Sequence, residues 1–536
     1  MAANRGSETK ISTINATKSD QEDAVDIEKA ISATGYGTFN VLLLLAALPV
    51  AWTGIFDTTT PAFILASAEC DLQLTSFRKG VLVAFPFVGM TLTSFVWDHV
   101  TPYVGARNLF VLGLLADSVL NVLSSAVDSY HVFLAIKFVN GVFTGGPFSM
   151  VIAYLSEFHS AKYKPSFARW AGLAVNAAII VPAVLGFTIL PLPLTIDVFY
   201  RRYTSWRIYL LICSIVPVIG LVTASALPQS PRYLVDIGKP EQALKLLARM
   251  YAINKRKPVN AFPIKSLAVL QNSQLSRQSV FQRSSEKLRI SCYNAKLLFS
   301  GPYLRAVSFL NFLQFGSMLG FNTMRLWVPH LFVILNNFDA DKWRKDRAPT
   351  MRDMLDRRNA LPVSQYLDCP NFSNICITWK VIAVIYQNSS IIAVSAVLFS
   401  FLASAIANSK FRKKLIMVAA FFLSVISSFG MNWAQHPAYM LTLAAAIIVT
   451  TRIAGNIVTA VNVDVIPVPL RPSSVAMLTT VGNVAAIVGN FLFSALLDVE
   501  CLVAFMGLGC LLLACFCLSF FQPKPVREST SKALEA

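Results

Sequence analysis

The sequence predicts an all-α membrane protein with twelve transmembrane helices in two pseudo-symmetric six-helix bundles. Three observations lead there. Of 536 residues, 55% are hydrophobic and only 14% charged, where a soluble chain of this size carries about a quarter charged. The charges gather in short dense stretches between long apolar ones. Two short sequence pieces also recur at equivalent places in the two halves.

A bilayer span needs about 20 mostly apolar residues. Runs that qualify begin near Phe39, Val81, Leu109, His131, Ala171, Ile208, Ala306, Ile382, Leu415, Tyr439, Val475 and Val503. The first 36 residues are polar and carry both signs of charge, so no cleavable signal peptide is expected. The first apolar run is flanked like a span and reads as an uncleaved signal anchor. The expected organisation is a cytoplasmic tail at 1–36, a bundle at 37–228, a linker with short helices at 229–305, a second bundle at 306–522 with an outer loop at 336–380, and a cytoplasmic tail at 523–536.

Lys and Arg set orientation. With both ends in the cytoplasm, the inner loops collect Lys162, Lys164, Arg169, Lys255-Arg256-Lys257 and Arg412-Lys413-Lys414. The loops near Asp128, Gln435 and Glu500 then face outside without Lys or Arg. The loop from Asn336 to Lys380 is rich in both, but long loops weigh less in the rule. The net charge of +18 therefore reads as cytoplasmic membrane-surface charge, with no nucleic-acid module apart from the spans. Cys213, Cys501, Cys510, Cys515 and Cys517 sit in apolar runs as fillers. Cys369 and Cys376 lie in the long loop beside the glycosylation sequon at Asn371. An outer face permits a disulfide between them, or from one of them to Cys70. No zinc-ligand set accompanies them.

The polar gap from Gln229 to Arg305 divides the spans six and six, and duplicated halves are common in secondary transporters. Glu157 with Lys164-Pro165-Ser166 aligns with Asp464 and Arg471-Pro472-Ser473. Gly54 to Thr58 resembles Gly320 to Thr323.

Charges inside spans are costly and so informative, at about 2.5–3.5 kcal/mol each on insertion scales. They are Asp57, Asp117, Lys137, Arg325 and Arg452. Facing a cavity, they can neutralise one another, hold a polar solute or exchange a proton. The plain alternative is a static ion pair that fixes packing. For Asp117, followed by Ser118 and Asn121, a polar helix–helix contact is the expectation. At the inner rim, Asp98, Arg107, Glu157, Asp464 and Arg471 can form ion pairs that latch that side closed. Lys164 and Arg169 fit a solvated, topology-setting loop. The run Gly141 to Gly146 lets backbones approach closely. In the linker, Ser230-Pro231 and Pro240 start helices, Gly238 stops one, and Leu244, Leu247 and Met250 share a face for protein or lipid. Arg232, Lys239, Lys245 and Arg249 would face water or headgroups. No Walker loop or HExxH appears, which leaves an ATP-driven pump or a soluble-type enzyme unsupported. No cofactor is expected.

Lys137-Phe-Val-Asn140-Gly141 resembles the span-four motif of the major facilitator superfamily, normally Arg, two residues, Gln, Gly. Asp98, Gly105 and Arg107 resemble its Asp-x-x-Gly-Arg loop, with extra residues and an Ala before the Arg. In the second copy Asn408 stands where the acid is usual. Gly35-Tyr-Gly37-Thr-Phe39, Ser205-Trp206-Arg207, Leu227 to Leu234 and Asp464 to Pro472 resemble the synaptic vesicle glycoprotein 2 and organic ion transporter branch. A short link after span one and a longer loop after span seven favour the vesicle glycoprotein side, as a short, invertebrate-type member. Gln229 stands where that branch has Glu, so a latch there would rest on Arg232 alone.

The resemblance implies alternating access by rocking bundles around a mid-membrane cavity. The implied partners are the bilayer, a small organic solute (an organic ion or a sugar) and a coupling proton or cation. Asp57 is the expected carrier of that ion, beside Thr58. Arg325 is its partner across the bundles or a contact for an anionic group. Lys137 and Arg452 tune them, and Asn140, Asn322 and Asn456 supply hydrogen bonds. The alternative is a non-transporting binding or regulatory protein, in a vesicle or plasma membrane, that keeps the fold. A channel is disfavoured, because no span carries a regular polar stripe.

Overall fold

The computed structural model describes residues 26–198, 201–267, 296–336, 383–435, 437–467, 470–499 and 501–523, with Arg289, Tyr293, Thr350 and Asp353 besides. The first half holds α1 (Ile27–Thr34), α2 (Thr38–Ile64), α3 (Ser76–Val104), α4 (Ala106–Ser125), α5 (Tyr130–Ser156), α6 (Lys164–Asn176), α7 (Ile180–Ile189), β1 (Thr195–Val198), β2 (Arg201–Thr204), α8 (Ser205–Cys213) and α9 (Ile215–Ala226). The linker holds α10 (Pro231–Asp236) and α11 (Pro240–Lys255). The second half holds α12 (Gly301–Asn336), α13 (Ala383–Ile406), α14 (Lys410–Gly430), α15 (Pro437–Val465), α16 (Arg471–Val499) and α17 (Cys501–Ser519).

Each apolar run of the sequence is helical among the described residues. The fifth and sixth spans are each split in two, as α6–α7 and α8–α9. Nine segments are long and apolar enough to cross a membrane among the described residues. The helices at 76–104, 301–336 and 501–519 complete the twelve.

The split spans have a common cause. Pro182 and Pro217 lack the N–H that would bond the carbonyls of Ala178 and Cys213. In the fifth span the chain tightens into a 3₁₀ turn at Ala177–Ile179. In the sixth it breaks at Ser214.

Within the first bundle α3 packs along α5, α5 along α4, and α9 against α2 and α4. The glycine run sets the α3–α5 spacing. A Cβ at Gly141 would come within 2.1 Å of the Pro86 carbonyl oxygen, and one at Gly146 within 2.5 Å of the Trp97 ring. In the second bundle α12 packs on α15 and α16, and α14 on α15 and α17. The bundles meet along two seams, α3 on α16 and α7 on α13.

The linker helices form as their punctuation predicts. Ser230 Oγ caps α10 by accepting from the Tyr233 N–H, and Gly238 adopts φ +79°. In α11, Leu247 and Met250 are fully buried in one cluster with Ala30 and Ile31 of α1. This face therefore meets protein. Lys239, Lys245 and Arg249 are exposed. Two elements were not expected: α1, at the end of the polar N-terminal segment, and the β1–β2 hairpin.

Candidate functional site

A buried polar cluster joins three helices of the first bundle. Asp57 of α2 is 2% exposed, and Asp117 of α4 and Lys137 of α5 are 0% exposed. Asn121 lies four residues beyond Asp117 and so on the same face of α4. Its amide nitrogen donates to Asp57 Oδ1 and Asp117 Oδ2, both at 2.9 Å. Lys137 Nζ donates to Asn121 Oδ1 at 2.9 Å. The chemistry fixes this orientation, since an ammonium only donates and a carboxylate only accepts. Both carboxyls therefore share one amide as their hydrogen-bond donor. Asp57 Oδ2 and Asp117 Oδ1 are buried and receive no donor. With both acids ionised the cluster carries net −1. One shared proton makes it neutral and supplies a missing donor.

A second charged site lies where α12 and α15 meet the first bundle. Arg325 Nη1 donates to Thr59 Oγ1 of α2 at 2.7 Å. Its Nη2 donates to Asn322 Oδ1 at 3.3 Å. Arg452 donates to Asn176 Oδ1, the last residue before the 3₁₀ turn. Both guanidiniums lie over the Phe321 ring, 5.3 and 4.8 Å from its centre. They therefore stand no more than about 10 Å apart, and they act on one another electrostatically. Among the described residues no carboxylate pairs with either. At an effective dielectric of about 20, unit charges that far apart repel by about 1.7 kcal/mol.

Between the bundles Arg325 and Phe321 share a cavity with Thr59, Phe63, Ser389 and Ile448. Its free volume is about 20 Å³, room for about one water. Among the described residues, four side-chain hydrogen bonds cross between the bundles. They are Lys79–His330, Tyr386 to the Phe63 carbonyl, Arg325–Thr59 and Arg452–Asn176. All four lie at mid-depth or toward the end opposite the linker.

Comparison with known proteins decides the family. The family described as Sugar (and other) transporter matches residues 17–301. The chain belongs to that family. It is 25% identical to mouse synaptic vesicle glycoprotein 2B over 329 residues, 58% of this chain and 48% of that one. To rat synaptic vesicle glycoprotein 2A it is 27% identical over 243 residues, 45% of this chain and 32% of that one. The chain thus spans about half, or less, of the length of these curated relatives. The fold matches the xylose transporter XylE from E. coli, described as partially occluded and inward open. The TM-score is 0.62 over 90% of this chain and 97% of that one, at 13% identity. It also matches the nucleoside transporter NupG (TM-score 0.54, 11% identity, 91% of this chain and 100% of that one). This is the twelve-helix major facilitator fold, in a multi-pass membrane protein.

Against this fold several expectations change. Asp117 and Asn121 make the expected polar helix–helix contact, and Asn121 extends it to Asp57 and Lys137. Ser118 turns instead to its own backbone at Leu114. Arg325 does not pair with Asp57. It reaches Thr59, which lies two residues on and so about 200° around α2. Thr59 was missed, and the signal for it was that rotation. Thr58 bonds only the backbone at Gly54 and Ile55. Arg452 pairs with Asn176 and not with Asp57. Asn140 is fully buried with both side-chain atoms unbonded. Asn322 accepts from Arg325. Asn456, four residues past Arg452, is half-buried.

The rim pairs are also rearranged. Asp464 bonds Lys413 at 2.6 Å, while Arg471 donates to the Ile466 carbonyl. Glu157 accepts from Ser230, and Arg107 donates to the Ser225 carbonyl. The Asp98 side chain lies outside the described residues. Arg232 does not face open water. It pairs with Glu28 of α1, 3.8 Å from Lys164. A latch at Arg232 therefore ties the linker to α1 and not to a neighbouring loop. Burial pushes the Glu157 carboxyl above its usual range, against the pull of the Ser230 hydrogen bond. Cys70 is disulfide-bonded, whereas Cys369, Cys376 and Asn371 lie outside the described residues. Cys213, Cys510, Cys515 and Cys517 are free.

Proposed function

We propose that the chain is a secondary transporter that moves a small organic solute by alternating access, coupled to one proton. The observation that carries this reading is the pair of buried carboxyls, Asp57 and Asp117, balanced by only one ammonium, Lys137. Such a cluster is one proton from neutral, and an uncompensated buried charge is costly, so the cluster can bind a proton in one conformation and release it in another. Helix α2 links this to the solute path. Asp57 faces α4 and α5, and Thr59 on the opposite face meets Arg325 of the other bundle. A change of charge at Asp57 is thereby coupled to the seam that must open.

The cavity between the bundles is the solute site; Arg325 lines it, with Asn322 bonded to Arg325 and Arg452 against the shared Phe321 ring behind it, and Asn456 one turn beyond Arg452. The bundles are 37–228 and 306–522, joined by the linker at 229–305. Both ends and the linker are cytoplasmic, and the loop at 336–380 faces the opposite side, with Asn371 as a glycan acceptor. The disulfide at Cys70 supports this orientation, since Cys70 lies beyond the far end of α2 and disulfides persist on oxidising faces. The cross-bundle bonds at that far end fit a conformation closed to the outside. The membrane is a plasma or vesicle membrane.

The test is flux into proteoliposomes under an imposed pH gradient. Wild-type protein is expected to move solute faster with the gradient than without it. Asp57→Asn is expected to abolish that difference while leaving the protein folded. If no solute from the sugar, organic cation and organic anion classes moves, and Asp57→Asn alters no proton flux, the protein is a non-transporting member of the fold.

A further inference from the structure

The charges of the first bundle are balanced within a short hydrogen-bonded network. Those of the second are not. Arg325 and Arg452 both lie against the Phe321 ring, and the Arg325 Nε is buried with no acceptor. Their protein partners are neutral: Thr59, Asn322 and Asn176. Both residues are half-buried, and like charges drawn partly out of water without a counter-ion are a poor resting arrangement, unless the counter-ion is supplied by something that binds.

From this we infer that the solute is an organic anion whose acidic group seats between Arg325 and Arg452. The inference rests on the transporter reading above and names its substrate class. The rest of the lining agrees. Among the described residues, Thr59 and Ser389 are the only uncharged polar groups on the cavity, and Phe63, Ile179, Val328 and Ile392 are among its apolar ones. A hydroxyl-rich solute such as a sugar needs many neutral donors and acceptors around it. A carboxylate or phosphate on an apolar body needs guanidiniums at one end and apolar wall at the other. Arg325 also bonds Thr59 across the seam, so an anion that engages the guanidinium competes for its donors. The closed cavity holds about one water, so the anion enters when the bundles part.

The test is thermal stabilisation of the full chain in detergent, at fixed pH and ionic strength. The probes are 3-phenylpropionate, its amide, 3-phenylpropylamine, phenyl phosphate, inorganic phosphate and glucose. The carboxylate or the phosphate ester is expected to raise Tm by at least about 2 °C. The amide, the amine and glucose are expected to leave it unchanged. The two acids differ in charge and geometry, so the stronger one names the acidic group. Inorganic phosphate acting as well as phenyl phosphate would remove the apolar body from the inference and overturn that part of it.

Arg452→Gln and Arg325→Gln are each expected to weaken the effect at least tenfold, and Arg325→Lys less. The wild-type series needs no variant, so a poorly folding substitution does not block the result. If the amide or glucose stabilises as well as the carboxylate and the phosphate ester, or if both Gln variants keep the full shift, the anion site is wrong. Uptake assays separate this from the transporter reading. Proton-driven movement of glucose but not 3-phenylpropionate sinks the anion and keeps the transporter. Stabilisation by the anion with no flux of any probe sinks the transporter and keeps the site.

Discussion

The two bundles carry buried charge in opposite ways. In the first, two acids and one base meet around the Asn121 amide, and the group is one proton from neutral. In the second, two guanidiniums share the Phe321 ring with only neutral partners. Short pieces of the two halves match, with Asn322 standing where Asp57 stands. A duplicated framework has therefore been given a self-balanced site on one side and an open cationic site on the other. Removing a charge should then cost much more in the first half than in the second.

The largest effect belongs to Lys137. Lys137→Met leaves two buried carboxyls without their cation and is expected to destabilise the protein by about 3–5 kcal/mol. Thermal melting in detergent reads this loss. Much of it should return in the double variant Lys137→Met/Asp57→Asn, and a double variant no better than the single one would break the balanced-cluster account.

Thr59→Val is the next test. It strips Arg325 of its cross-bundle acceptor, and hydrogen bonds to charged groups are worth about 1.5–3 kcal/mol. A loss in that range is expected in the solute-free protein. No loss would mean that the Arg325–Thr59 bond does not hold the seam.

Arg325→Gln sharpens the contrast. Deleting one of two uncompensated like charges relieves a repulsion of about 1–2 kcal/mol. That relief offsets the loss of the Thr59 hydrogen bond, so the melting temperature is expected to change little, where Lys137→Met falls. A fall as deep as that of Lys137→Met would show that the second site is also balanced.

The smallest effect lies at the linker end. Glu157 is held above the usual carboxylate range by burial, so the folded state binds its proton more tightly than the unfolded chain does. Stability from this group is present at low pH and is lost as pH rises through the raised value. Glu157→Gln should melt about 2 °C higher than wild type at pH 7.5. The advantage should shrink as pH falls and the wild-type carboxyl protonates. An advantage that is constant across pH would rule out titration of Glu157 as its source.

Much of the fold was legible in the residues because the bilayer imposes a length and a polarity. The apolar runs, the glycine run and the Ser230–Pro231, Gly238 and Pro240 punctuation each reappear in the helices. The helix α1 was not legible. Ile27 to Thr34 is too short and polar to announce itself, and it is held by tertiary contact with α11. The hairpin at 195–204 is likewise too short to show a period.

The candidate site was half legible. By itself the sequence determined which ionisable groups enter the membrane, because each one there stands against a large solvation penalty. It named Asp57, Asp117, Lys137, Arg325 and Arg452 for that reason. Only the tertiary structure decided their partners. Which face of α2 carries Asp57, and which carries Thr59, matters only once α4 and α12 are in place. The bundle packing turned a presumed pair, Asp57 with Arg325, into two separate sites on opposite faces of one helix.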